Sequence, residues 1–543
     1  MPTCVCAFAV LATSLLYLLS DVVQTLPQRA AFVGSLGVVC LSGIVYARAV
    51  CSTACCMHEH QLSQRDIQRI IGERDASIEE RIKGNRDKMA RRLAESLKIK
   101  TISFDRKDKD NAINYDEFLR LHDFLAASYP LVHSTLNRVV VNKHSLIYEW
   151  VGSDPSQKPY LLTAHMDVVP APEPEKWKHA PFAGDIDQGF VWGRGAIDDK
   201  QAVLGWLEAV EELIRSGFRP VRSVYFAFGH DEELSGLNGA AHMAKWFAAR
   251  LGPSDPFEFM MDEGLFIIDG AMKGHKAPVA LVGIAEKGYV TVRLTVNVEP
   301  GHASTPGKES AIGILARAVT AIETNPHPGG LDGPVRSMFE HLRSGYSLAY
   351  RLIFSNVWLL SPVVSFLMAL KPHTATMIRT TSAVTVINAG SKENVLPSVA
   401  TALVNHRIHP RDSIASVLAW DRKVVKDDRV TIEAIGEPIE ASPVSSVEHP
   451  AFSTIRDSIH AVFKGACAVS PGLFIAASDS KHYWGLCPQI YRFNPICIHA
   501  NDLSMFHGFN ERISVDNFAE LVCFCANLIT RTDKRRVDQT AQK

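Results

Sequence analysis

Cysteine is missing from the whole middle of this chain: the 11 in the sequence stop at Cys56 and resume at Cys467. A disulfide framework is therefore not expected to hold the central body together, although Cys467, Cys487, Cys497, Cys523 and Cys525 leave room for one bridge. No pair is spaced Cys-x-x-Cys, so no thiolate zinc motif is present. An excess of either charge is missing too. With 57 Lys and Arg against 58 Asp and Glu, no global field attracts nucleic acid or another polyanion, and what the substrate is becomes a local matter. Asn-x-Ser/Thr sequons are absent, which fits a cytosolic face or an unglycosylated lumenal one. A largely disordered chain is excluded, because 47% of residues are apolar and 21% charged, enough to bury several layers.

What is present begins with two uncharged apolar runs, residues 5–19 and 30–47. Each is marginal for a spanning helix, and the first also suits a signal-peptide core without a basic start. Residues 1–57 are expected to form a membrane-targeting segment, with a buried helical hairpin as the alternative. This reading puts the protein on a membrane of the secretory or endomembrane system, its orientation open. Residues 58–98 are charge-rich, with isoleucines at 67, 70, 71, 78 and 82 on one helical face, and read as a surface helix and stalk.

Strand-like segments then alternate with amphipathic helices. Residues 138–141, 145–151, 160–164, 221–228 and 257–261 read as strands, residues 118–131 and the stretch after Lys200 as helices. The expected fold class is therefore α/β, doubly wound. From Tyr289 the pattern becomes strict alternation, Val290, Val292, Leu294 and Val296 on one side and Thr291, Arg293, Thr295 and Asn297 on the other. That marks a half-exposed antiparallel strand. Residues 289–409 are expected to form a smaller inserted α+β lid domain, with 58–288 and 410–543 as the two parts of the catalytic domain.

The chemistry concentrates where the strands end. HMDVVP at His165, WGRGAIDDK at residues 192–200 and GHDEE at 229–233 bring one imidazole of the first cluster and six carboxylates to strand ends and tight turns, the edge at which open α/β sheets bind ligands. Asp262-Glu263-Gly264 adds a further acidic strand end. Taken singly, each has a bland reading: a surface or core histidine, a solvated acidic turn. Together they outline a metal site.

Eight motifs in order, HMDVVPAPE, GRGAIDDK, GHDEE, MDEG, GHASTP, ENVLP, NHRIHP and HGFNERIS, resemble the zinc-dependent aminoacylase and carboxypeptidase family of metallopeptidases. The resemblance covers about residues 89–529 and runs first to the N-fatty-acyl-amino acid synthase/hydrolases, then to vacuolar carboxypeptidase S. It implies two zinc ions bridged by a carboxylate and a water. Carried over motif by motif, His165 would bind one zinc, Asp198 would bridge, and Glu233 and His507 would bind the other. The remaining ligand falls in Asp262-Glu263, with Asp262 favoured. Asp167 would orient the His165 ring, and Glu232 would be the general base. The family also carries a cis peptide after its bridging carboxylate, here Asp198–Asp199. In the lid, His302 resembles the histidine that stabilises the oxyanion, and Asn394 and Arg407 resemble residues that engage the substrate carboxylate; a structural salt bridge is the alternative for Arg407. Asp479 in ASDSK matches a position near the substrate or a structural turn. Because relatives take the oxyanion histidine from a second subunit, a homodimer is allowed.

The implied activity is cleavage, and reversible formation, of the amide bond of N-acyl amino acids, N-fatty-acyl ones above all. A carboxypeptidase or dipeptidase is the enzymatic alternative, and an inactive membrane-tethered binding protein the alternative of another class. Residues 344–370 pack Leu352, Val357, Trp358, Val363, Phe366, Leu367 and other apolar side chains into little sequence. They are expected as buried core or a dimer contact, or else as a wall for a long acyl chain beside the zinc site.

Overall fold

The computed structural model describes residues 62–541 apart from 106–110, 271, 273, 276 and 465–466. The expected membrane-targeting segment, 1–57, lies outside the described residues. Strands longer than three residues follow in the order β1 (Asn137–Val141), β2 (Ser145–Trp150), β3 (Tyr160–His165), β4 (Val224–Gly229), β5 (Met260–Asp269), β6 (Val279–Glu286), β7 (Gly288–Asn297), β8 (Thr381–Ala389), β9 (Val399–Ile408), β10 (Val430–Ile439), β11 (Ala468–Phe474) and β12 (Ile490–His499).

Eight of these build one mixed sheet in the order β1-β2-β4-β3-β5-β12-β6-β11. Its centre, β4-β3-β5-β12, is parallel. The central strands are buried on both faces, as β3 and β4 show by being buried at every position. Helices Lys200–Arg215, Pro450–Phe463 and Val515–Ala541 contribute to the core on one face, and helix Ala240–Leu251 to that on the other. This is the doubly wound α/β arrangement, with antiparallel pairs toward both edges.

Residues 64–97 are no stalk. They form three helices, Gln64–Gly72, Ala76–Gly84 and Arg86–Leu97, whose Ile70, Ile78, Ile82, Leu93 and Leu97 are buried. Their charges are spent on the body as well: Arg81 pairs with Glu212, and Arg92 with Glu208. The helix expected over 118–131 is Tyr115–Ser128, and Pro130 begins a separate short helix, Pro130–Thr135, because proline cannot continue the preceding ladder.

The smaller domain is built on a four-stranded antiparallel sheet, β8-β9-β7-β10. Along β7, Val290, Val292, Leu294 and Val296 are fully buried, packed on helices Ala311–Thr324 and Ile414–Val425. The sheet runs past His409, where the sequence reading closed it. β10 pairs with β7 from Val430↔Val296 onward, because its buried Val430 and Ile432 complete the same core.

The apolar stretch 344–370 divides. It forms helices Leu348–Phe354 and Val357–Ala369, and Phe354, Val357, Val364 and Met368 pack inward against Val279, Leu281 and Leu473 of the outer strands. Phe366, Leu367 and Leu370 lie on the outside. The groove that Pro362, Ser365, Phe366 and Ala369 line contains no residue of the expected metal site. Among the described residues no single helix is long and apolar enough to cross a membrane, although these two together, bent by 108°, match such a span in length and composition.

Candidate metal centre

The centre is assembled at the carboxyl ends of β3 and β4, from the loop before helix Lys200–Arg215, and from the segment after β12. His165 is the last residue of β3 and is buried. Its Nδ1–H donates to the backbone carbonyl of Asp167 at 2.9 Å, which turns Nε2 toward the carboxylates of Asp198 and Glu263. The expected orienting carboxylate of Asp167 stands slightly farther, 3.3 Å from Nδ1. Asp167 also accepts the backbone N–H groups of Glu232 and Glu233 and the Ser103 hydroxyl, tying the β4 turn to β3.

Asp198 lies between two imidazoles. Its Oδ1 is 3.0 Å from His165 Nε2 and its Oδ2 is 3.2 Å from His507 Nε2. The Asp198–Asp199 peptide is cis. Glu233 Oε2 lies 3.4 Å from His507 Nε2, and Glu263 Oε2 lies 3.7 Å from His165 Nε2. Two groups of potential ligands result: His165, Asp198 and Glu233, and His165, Glu232 and Glu263. Glu232 thus faces the same space as the ligands.

Asp262 and Glu263 face different neighbours. Asp262 turns to β3, where the Thr163 hydroxyl donates to it at 2.6 Å, and Glu263 occupies the place beside His165. The cause is an irregularity in pairing: Asp262 is opposite Arg492, yet Phe493 is opposite Leu265. Glu263 and Gly264 are therefore extra residues bulged out of the ladder, and such a bulge re-aims a side chain. Gly264 permits it, with φ +152° and a would-be Cβ 2.6 Å from the Arg492 side chain.

Buried carboxylates crowd one another here. Burial, then the neighbouring Glu263, pushes the Glu232 carboxyl well above its usual range, and burial likewise raises Glu233 and Glu263. Burial alone would raise Asp198 too, but hydrogen bonds from His165 and His507 hold it well below. His507 is pushed up to about 10 by Asp198, then Glu233. So many buried carboxylates cannot all ionise without a multivalent positive charge among them. The buried Oε1 of Glu233 has no hydrogen-bond partner, as a ligand atom awaiting an ion would have none. Imidazole and carboxylate donors suit zinc, and the residues present fit a metal ion.

Three positioning features were not foreseen. Arg194 and Glu511 form a buried pair, and Glu511 also accepts the Ile197 N–H. Asp199 accepts from the side-chain amides of Gln201 and Asn494. Arg492 bonds both Glu286 and Ser480, and Ser478 donates to Glu286, which fixes the turn holding Asp479. That buried carboxyl, raised by burial, crowds Gly236, where a Cβ would be 1.9 Å from its Oδ1. GRG, NERIS and ASDSK carried the signal, but nothing in one sequence says which charges meet.

The lid residues stand apart. Among the described residues His302, Asn394 and Arg407 make no bond to the carboxylate cluster. His302 is exposed, its Nδ1 against the Ser304 hydroxyl at 2.7 Å, and the neighbouring Ala303 N–H donates to the Asn394 carbonyl. The Arg407 guanidinium lies over the Tyr289 ring at 5.2 Å rather than in a salt bridge. A further buried group, His327, His406 and Asp421, belongs to the small domain, where His406 joins Ser382 to Asp421.

The sequence model described as Peptidase family M20/M25/M40 matches residues 161–531. "Probable carboxypeptidase S-like 2" of Dictyostelium discoideum is 43% identical over 447 residues, covering 82% of this chain and 85% of the relative. "N-fatty-acyl-amino acid synthase/hydrolase PM20D1" of Xenopus tropicalis is 38% identical over 464 residues, covering 84% and 88%. Among solved structures, human carnosine dipeptidase 1 superposes with a TM-score of 0.58 at 14% identity, covering 84% of this chain and 98% of that one.

Proposed function

The chain belongs to peptidase family M20/M25/M40, a family of metal-dependent hydrolases, and from that premise and its site we propose that it cleaves, and reversibly forms, the amide bond of N-fatty-acyl amino acids. The observation that supports metal-dependent amide hydrolysis is the placement of Asp198 between His165 and His507, with Glu233 and Glu263 at the two flanks. His165, Asp198 and Glu263 would hold one zinc ion, and Asp198, Glu233 and His507 the other. When bound, such a pair supplies charge that polarises the amide carbonyl and acidifies water.

Glu232 is the remaining carboxyl in this space, and its backbone is fixed through its N–H to Asp167. It takes a proton from the attacking water as the carbon–oxygen bond forms, and returns it to the amide nitrogen as the carbon–nitrogen bond breaks. The same steps reversed give synthesis when fatty acid and amino acid are abundant. Arg407 and Asn394 would engage the substrate carboxylate and His302 the oxyanion. That none of the three bonds to the cluster among the described residues supports closure of the lid or a homodimer in which a second copy supplies His302. The two uncharged runs before residue 48 support a membrane-associated location in the secretory or endomembrane system.

The N-acyl amino acid reading rests on the relative at 38% identity, and the carboxypeptidase reading on that at 43%. Chain-length dependence separates them. Each methylene buried adds about 0.8 kcal/mol, so lengthening the acyl group of N-acyl-phenylalanine by six carbons lowers the barrier that kcat/KM reports by up to ~5 kcal/mol if the chain is buried. Flat efficiency across acyl lengths, with faster dipeptide cleavage, decides for the peptidase.

A further inference from the structure

Helices Leu348–Phe354 and Val357–Ala369 present two unlike faces. The inner one is packed against the outer strands of the main sheet. The outer one carries Leu348, Leu359, Val363, Phe366, Leu367 and Leu370, between 37% and 64% exposed. A contiguous exposed apolar surface of this kind marks a binding partner, because water is a poor neighbour for it. A groove of about 450 Å³ between Pro362, Phe366 and Ala369 on one side and Gly329, Ile378 and Arg379 on the other opens beside it.

Charge identifies the partner. Residues 352–370 contain no ionisable side chain. Between Glu340 and Glu393 there is no carboxylate at all, whereas Arg343, Arg351, Lys371, Arg379 and Lys392 fall in that interval. A second copy of this chain would set cations against cations. An anionic lipid surface meets both needs at once, taking the apolar side chains into the acyl boundary and the cations beside them, Lys371 after the longer helix and Arg379 on the groove, among its headgroups. The pair cannot cross a membrane as one rod: the longer helix is 13 residues, about 20 Å at 1.5 Å per residue, and its partner leaves at 108°. The geometry is that of a segment lying in the interface, its inner face anchored in the protein. The two uncharged runs of residues 5–19 and 30–47 provide a second, separate apolar element in the same chain.

We infer that the outer face of helices Leu348–Phe354 and Val357–Ala369 seats on the surface of an anionic phospholipid bilayer. This holds whether the substrate is an N-acyl amino acid or a peptide, since nothing in it draws on the metal centre. The test uses the full chain reconstituted in phosphatidylcholine vesicles with and without phosphatidylserine. A carbene-generating photoreagent is dissolved in the bilayer and the labelled tryptic peptides are located by mass spectrometry. Trypsin cuts after Arg351 and Arg379 and spares the Lys371–Pro372 bond. The expected result is label within residues 359–370 of peptide 352–379, increased severalfold by phosphatidylserine and reduced by salt. In Val363→Ser/Phe366→Ser/Leu367→Ser that label falls at least severalfold while the melting temperature is unchanged, because the three side chains face outward. Label confined to residues 1–61, or chain-to-chain cross-links through peptide 352–379 without lipid label, overturns the inference.

Discussion

Arg194 Nη1 donates to Glu511 Oε2 at 2.6 Å inside a fully buried ion pair. The two residues belong to the segments that carry Asp198 and His507, so one contact sets the spacing between the shared carboxylate and the second imidazole. Glu511 is pushed up to about 7 by burial, against the opposing pull of Arg194. Removing it leaves a buried guanidinium without its partner, which costs about 3–5 kcal/mol. Glu511→Ala is therefore expected to lower unfolding stability by that order and to weaken metal binding together with it. Urea titration and metal titration of the same variant check both.

The bulge at Glu263 makes a paired prediction. Glu263→Gln is expected to bind one metal ion tightly instead of two, because it removes an oxygen beside His165. Asp262→Asn is expected to keep both, since that side chain bonds Thr163. Metal content after desalting distinguishes the two variants, and the opposite pattern restores Asp262 as the ligand.

Stability has a pH dependence away from the site. His122 and His460 are each lowered to about 4 by burial. Their folded pKa values lie below the unfolded value of about 6.5, so between pH 6.5 and 4 the unfolded chain binds more protons. Stability therefore falls as pH falls through that window. His460→Gln is expected to reduce the slope by up to ~1.4 kcal/mol per pH unit. Urea midpoints at several pH values in that range measure it.

The packing of Ile70, Ile78 and Ile82 into the body predicts where the autonomous protein starts. A chain beginning at Gln61 is expected to be folded, free of membranes at high salt and active with zinc supplied. A chain beginning at Asn85 is expected to be destabilised by several kcal/mol, since it loses three buried side chains worth roughly 1.5–3 kcal/mol each. Aggregation of the first chain assigns the apolar runs before residue 48 to the fold.

Much of this was legible in the sequence because period and position are local properties. The alternation from Tyr289 gave β7 its buried face, and the carboxylates at the ends of β3 and β4 lay at the functional edge of the sheet. The misreadings share a cause, which is dependence on a distant neighbour. The 64–97 helices show a charged exterior that conceals isoleucines needed by the terminal helix. β10 joins the small sheet only because β7 leaves an edge for it. The Glu263–Gly264 bulge exists in register against β12, and adjacent residues Asp262 and Glu263 cannot be told apart until that register is known. Residues 344–370 showed their apolarity plainly, but which of them face inward depends on β6 and β11.

The account stands on Glu232 being the proton carrier beside a pair of metal ions that Asp198 joins. Glu232→Gln keeps the shape of the side chain and removes its basicity, so metal content and turnover of that variant, measured on the same preparation, test the claim most directly. Two zinc ions per chain with kcat lowered at least ~100-fold is the predicted result. Turnover within a fewfold of the unaltered protein, or fewer than two ions bound, would contradict it.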